Sequence, residues 1–163
     1  MTTRFFALLM VAGLAGACAH TNDSAAGPAT SAWSPIHDDA DDATAALGAG
    51  WTPSQSPGER VALMGDQADV TFTVTRAGAF DALLDAVSFQ KPRRVQIDVD
   101  GKAIAPAFLI SVDAGAPIVL PIGTFGFGSH QIHFESLDGA DASGAGPRVS
   151  VAVRRLILER VGG

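Results

Sequence analysis

"DVTFTVT", Asp69 to Thr75, sets Val70, Phe72 and Val74 on one side of an extended chain and three threonines on the other. Alternation of period two, with β-branched residues on the polar parity, marks a strand that lays one face on a core and turns the other to water. Outward from it the chain is punctuated by turn residues every eight to twelve residues or so, the spacing of an all-β sandwich or barrel. No stretch from Gly50 onward sustains a helical period.

The flanking segments repeat the pattern with informative departures. "FDALLDAV", Phe80 to Val87, is apolar on both parities and reads as a central, covered strand. "RVQIDVDGKAI" puts Val95, Ile97 and Val99 on one side and then turns on Asp100 and Gly101, the pair that a type I′ hairpin favours. "IVLPI", Ile118 to Ile122, carries Pro121, which cannot donate to a ladder and so predicts an edge or a bulge. "HQIHFES" turns Ile132 and Phe134 inward. The closing "RVSVAVRRLILER" changes parity between Val153 and Leu156, which predicts a bulge near Arg154 and Arg155. Between these last two lies "LDGADASGAGP", which reads as a loose loop.

The amino-terminal part has another character. Arg4 precedes an apolar run from Phe5 to Leu14, then Ala15, Gly16, Ala17 and the only cysteine, Cys18. The run is short for a membrane span of about 20 residues and has the anatomy of an export signal. "LAGAC" resembles a bacterial lipobox, in which the cysteine is acylated and becomes the first residue of the mature chain. It departs from the pattern in placing Ala15, with Leu14 one place further back, where leucine is favoured. The resemblance implies a lipid anchor on Cys18, and Ala19 in place of an aspartate implies the outer membrane. Ordinary secretion, with cleavage after Ala19 and a soluble product, is the alternative. Residues 1–17 are thus read as a signal peptide, 18–50 as an acidic, alanine-rich tether, and 51–163 as the folded domain. The tether composition cannot bury enough surface to offset its ordering entropy. Its "HDDADD", His37 to Asp42, reads as a solvated acidic run, and "DATAAL", Asp42 to Leu47, as a turn of helix at most.

Net charge is −6. Residues 20–49 hold five aspartates and no lysine or arginine, and residues 50–163 hold ten basic and twelve acidic side chains, so no basic surface for nucleic acid is expected. There is no phosphate loop, dinucleotide fingerprint or nucleophile elbow, and a non-catalytic protein is expected.

"VDGKAI", "LPIGTFGFGSHQIHFES" and "PRVSVAVRRLIL", in that order, resemble the carbohydrate-binding-module-like, galactose-binding-type domains appended to bacterial membrane glycosyltransferases. The likeness implies an antiparallel β-sandwich of jelly-roll type over Trp51 to Glu159. It also implies that Phe125, three residues before Gly128, tucks under the turn as core, while Phe127 stands at the rim. His130 and His133 are three apart on a strand and point to opposite faces, so they cannot grip one metal. Two binding readings follow: an envelope lipoprotein that serves as an adaptor for another protein or an envelope polysaccharide, or a dedicated carbohydrate-binding module. Candidate contacts are Trp51, Phe127, His130, His133, Arg93 and Arg94, and Asp138 and Asp141 are the weak candidates for a calcium site. The chain has no tyrosine and only Trp33 and Trp51, a poor supply of sugar-stacking faces.

Overall fold

The computed structural model describes residues 36–38, 42–54 and 61–162. The signal peptide, Cys18 and Trp33 lie outside the described residues. In chain order the strands are β1 (Ile36–Asp38), β2 (Ala43–Leu47), β3 (Trp51–Pro53), β4 (Ala62–Met64) and β5 (Gln67–Val74). They continue as β6 (Gly78–Ser88), β7 (Arg93–Val99), β8 (Lys102–Ala103), β9 (Phe108–Ile110) and β10 (Ile118–Phe125). The last are β11 (Gly128–Ser136), β12 (Asp141–Ala142), β13 (Arg148–Val149) and β14 (Val151–Val161).

Sheet I runs β10-β6-β14-β4-β3, with β1 also pairing β14, and sheet II runs β2-β5-β11-β7-β8, with β9 also pairing β7. Every registered pair is antiparallel except β1 with β14. The inner faces form one core: Val70, Phe72, Val95, Ile97, Ile132 and Phe134 from sheet II meet Met64, Phe80, Leu84, Val151, Leu156 and Leu158 from sheet I. The molecule is an all-β antiparallel sandwich, as the alternation predicts.

The irregularities fall where their chemistry requires. Asp100 and Gly101 have φ of 49° and 75°, so the β7–β8 turn takes the left-handed conformation at both positions. β6 lies between β10 and β14, which covers both its edges. β10 is an edge strand, and its register with β6 shifts between Pro121 and Gly123. Gly123 sits at φ 128°, open to glycine and closed to a side chain. β14 shifts register between Val153 and Arg155, and its buried set accordingly changes from Val151 and Val153 to Leu156 and Leu158.

Two expectations are corrected. Ala43–Leu47 is neither helix nor tether: it is a strand registered residue by residue on Val74 to Val70 of β5, and Ile36–Asp38 lies parallel to Leu156–Leu158. Asp42 fixes the entry. Its carboxylate accepts from Arg160 Nε at 2.9 Å, and its carbonyl accepts from the amides of Thr75 and Arg76 at 3.0 and 3.3 Å. The folded part therefore begins before Trp51. The segment "LDGADASGAGP" is not loose either, since β12 and β13 pair within it and Ala140 is buried.

Candidate functional site

Two concavities flank the core. The larger, of about 900 Å³, lies on the outer face of sheet I. Its floor is one row of side chains set across the strands by register: Thr52 of β3 opposite Leu63 of β4, Leu63 opposite Ala152 of β14, and Ala152 opposite Val87 of β6. These are the outward parity of strands whose inward parity is Met64, Val151 and Ser88. Phe89, in the turn after β6, and the loop Ser143–Pro147 between β12 and β13 complete the lining with Pro53, Ser54 and Val149. Among the described residues no lining residue is ionisable. Hydroxyls come from Thr52, Ser54 and Ser143, and the aromatic face is that of Phe89. Ser143 Oγ donates to Pro147 O at 2.5 Å, which ties the loop to itself.

The turn that carries Phe89 is tightly built. Lys91 N donates to Phe89 O at 2.8 Å, Ser88 Oγ donates to Lys91 O, and Gln90 takes φ 63°. Phe89 N donates to Ser150 O at 2.9 Å, joining this turn to the start of β14.

The smaller cleft, about 430 Å³, sits at the tip between the β7–β8 turn and Ile122–Gly126. His130 closes it. Its Nδ1 lies 2.8 Å from Asp100 Oδ2 and its Nε2 3.3 Å from Gly126 O, while its ring packs 4.8 Å from Phe125 and 5.3 Å from Phe72. Burial pushes the Asp100 carboxyl up, but the Gln131 amide, His130 and Lys102 outweigh it and hold the group below its usual range. Phe127 stands at this tip, 77% exposed. Phe125 is buried, as the resemblance implies.

The remaining candidates are distributed otherwise. His133 faces the outside of sheet II, with Nδ1 2.7 Å from Asp69 Oδ1, on the opposite face from His130. Trp51 is not an open stacking platform: it is half-buried, donates Nε1–H to Asp69 O at 2.7 Å and meets Phe134 edge-on at 5.8 Å. Arg93, expected as a surface contact, is fully buried. It shares the inward parity of Val95, Ile97 and Val99, and a cation there must be paired from within. Arg94, one residue on, points out and grips Asp138, with Nη2 2.8 Å from Oδ1 and its amide donating to Oδ2 at 2.8 Å.

The weak calcium pair is committed elsewhere, since Asp138 serves Arg94 and Asp141 serves Arg93 and Lys91. Among the described residues no three of His, Cys, Asp and Glu are placed to hold a metal. The Arg94 side chain and amide hold the Asp138 carboxyl down at about 2. A folded-state value below the unfolded one means that this contact stabilises fully above about pH 4 and is lost as pH falls toward about 2. Asp138→Asn should lower the neutral plateau of a stability-versus-pH curve slightly, the contact being exposed, flatten the fall over that window, and converge with the wild type near about pH 2.

Sequence reading missed the groove itself. Phe89 and Leu63 belong to no motif, and only the register of four strands brings the floor together. No family model and no curated protein matches the chain. Among solved structures it is similar to the CBM36-1 domain of a multidomain xylanase from the hindgut metagenome of Trinervitermes trinervoides, at 19% identity and TM-score 0.47, over 75% of this chain and 98% of that one. It is similar to the mannan-binding module from Man5C at 17% identity and TM-score 0.46, over 72% and 93% of the two chains. A family 35 carbohydrate-binding module from Clostridium thermocellum is matched at 15% identity and TM-score 0.38, over 73% and 92%. These three solved structures are carbohydrate-binding modules.

Proposed function

We propose that the sandwich is a non-catalytic binding module that seats an uncharged polysaccharide chain in the groove over sheet I. The lining carries this reading. An ionic ligand would lose its hydration there and meet no counter-charge among the described residues, whereas a neutral sugar chain presents C–H faces to Leu63, Val87, Phe89 and Pro147 and hydroxyls to the serine and threonine edges. The volume suits the size range of about 300–1,000 Å³ usual for ligand sites. The non-catalytic part is supported by the commitment of the candidate acids and bases: Asp85, Asp138 and Asp141 bind arginines, and His130 and His133 bind aspartates.

Affinity electrophoresis of the full chain against neutral xylan, mannan and glucan, with a polyuronate as the charged control, tests it. Retardation by a neutral polymer and none by the polyuronate is expected. Phe89→Ala should weaken that retention about tenfold, the loss of one stacking face. Free migration in every neutral polymer sinks the reading.

Export and a lipid anchor on Cys18 belong to the same proposal, with the outer membrane as destination and envelope polysaccharide as partner. Labelled palmitate should enter the chain in a Gram-negative host, and Cys18→Ala should remove both label and membrane fractionation. A soluble, unlabelled product starting at His20 would end it. A second reading, an adaptor that docks on another envelope protein, is favoured by the exposure of Phe127 at the tip. Crosslinking to one envelope protein that Phe127→Ala abolishes, without effect on the neutral polymers, would support it.

A further inference from the structure

The loop Ser143–Pro147 is tied within itself by Ser143 Oγ on Pro147 O and the Gly146 amide on Ser143 O, and its root is anchored from outside. Its flanking strands β12 and β13 contribute two registered pairs, and among the described residues no other strand stands beside the chain leading into it, Asp138 to Ala142. The carbonyls of that leading chain are met by cations and an amide, and Gly139 O also accepts from Ser136 Oγ at 2.9 Å. Arg93 Nη1 donates to Gly139 O and, at 3.2 Å, to Asp138 O. Arg148 donates to Ala140 O from Nε at 3.0 Å and Nη2 at 2.5 Å, and Gln90 Nε2 reaches Ala142 O at 3.5 Å. The other terminal nitrogen of Arg93 donates to Asp141 Oδ2 at 2.5 Å and to Phe89 O at 3.4 Å. One buried guanidinium therefore touches both structures that line the groove beside its sheet floor: the Phe89 turn and the root of the Ser143–Pro147 loop. Its Nε has no partner among the described residues, so all its bonding is spent on these two segments.

We propose that Arg93 is the positioning residue of the groove, fixing the Ser143–Pro147 wall relative to Phe89 through Asp141 and the carbonyls of Asp138, Gly139 and Phe89. For its effect on ligand this rests on the groove reading above; for its effect on the hairpin it stands alone. A guanidinium suits the task because its planar fork reaches two segments at once, and a lysine ammonium, a compact point charge, does not replace that geometry. Among the described residues only Asp141 supplies an opposite charge, and it is shared with Lys91 Nζ at 3.6 Å.

Hydrogen exchange on the full chain tests the clamp in Arg93→Lys, Asp141→Asn and the conservative Asp141→Glu. In the first two, the amides of residues 140–149 should exchange about tenfold faster or more, because charge-assisted bonds are lost, while those of β5 and β11 hold their protection. Asp141→Glu should retain most of the protection. The neutral polymer that retards the wild type should bind the first two variants about tenfold more weakly. Unchanged exchange at 140–149 overturns the proposal, as does faster exchange there with undiminished binding. A loss of protection spread over all strands would mark Arg93 as a general stabiliser and overturn it too. Should Arg93→Lys fail to fold, Asp141→Asn decides. If the wild type binds no neutral polymer, the groove reading falls while the exchange result still judges the clamp.

Discussion

Phe125→Ala is expected to lower the stability of the sandwich by about 3–5 kcal/mol, the cost of emptying a large aromatic site in a close-packed interior. The ring ends β10 in sheet I, yet it packs edge-on against Phe72 of sheet II at 5.2 Å as well as on Phe80 of sheet I at 6.1 Å. Its removal also takes away a neighbour of His130. The void thus opens between the two layers at the tip, where Gly123 and the bulge limit how far the chain can collapse. Phe127→Ala, two residues on, should cost less than about 1 kcal/mol because its ring already stands in water. Urea unfolding of the two variants with unchanged slope is the measurement. Equal losses would mean that the tip is structural throughout, and no loss in either would contradict the register of β10 and β11.

Arg93→Met should cost about 3–5 kcal/mol, since removing one member of a buried ion pair takes the strongest donor from its partners. The Asp141 carboxylate and the carbonyls of Asp138, Gly139 and Phe89 each lose a donor, although Lys91 stays beside Asp141, the Lys91 amide on Phe89 O and Ser136 Oγ on Gly139 O. Asp141 keeps a third of its side-chain surface, so water can reach it, and this places the loss toward the lower end of the range. Arg94→Met is the contrast: its side chain is 60% exposed and its ion pair with Asp138 is screened, so little change is expected. Two arginines adjacent in sequence should therefore separate widely on one denaturation plot. A small loss at Arg93 would show that the pair is dispensable.

Much of the fold could be read from side-chain parity alone. The alternation at Asp69–Thr75, the two-sided apolar run at Phe80–Val87, the Asp100–Gly101 turn, Pro121 and the parity change after Val153 all announce features that local physics imposes. β2 escaped because Ala43, Ala45 and Leu47 alternate with residues nearly as small, and a strand whose inward side chains have little volume looks like a linker until a partner strand stands beside it. Arg93 could have been found, since it shares the inward parity of Val95, Ile97 and Val99, but a cation in a polar pair draws the eye to the surface. The groove was out of reach. Its floor comes from four strands between Thr52 and Ala152 in the chain, and such a surface exists only once their registers are set.

The position of β14 also dictates when the molecule can be finished. It is the last strand in chain order, yet in sheet I it lies between β6 on one side and β4 and β1 on the other. Until residues 151–161 arrive, β6 keeps an open edge and β1 and β4 have no central strand to join. The pairings that need no distant partner are β3 with β4, β7 with β8 and β9, and β12 with β13. The rest depends on pairings far apart in the chain, and loop closure of that kind makes folding slow. A chain emerging residue by residue would remain open and threadable for nearly its whole synthesis, and closure of sheet I would come as a single late event.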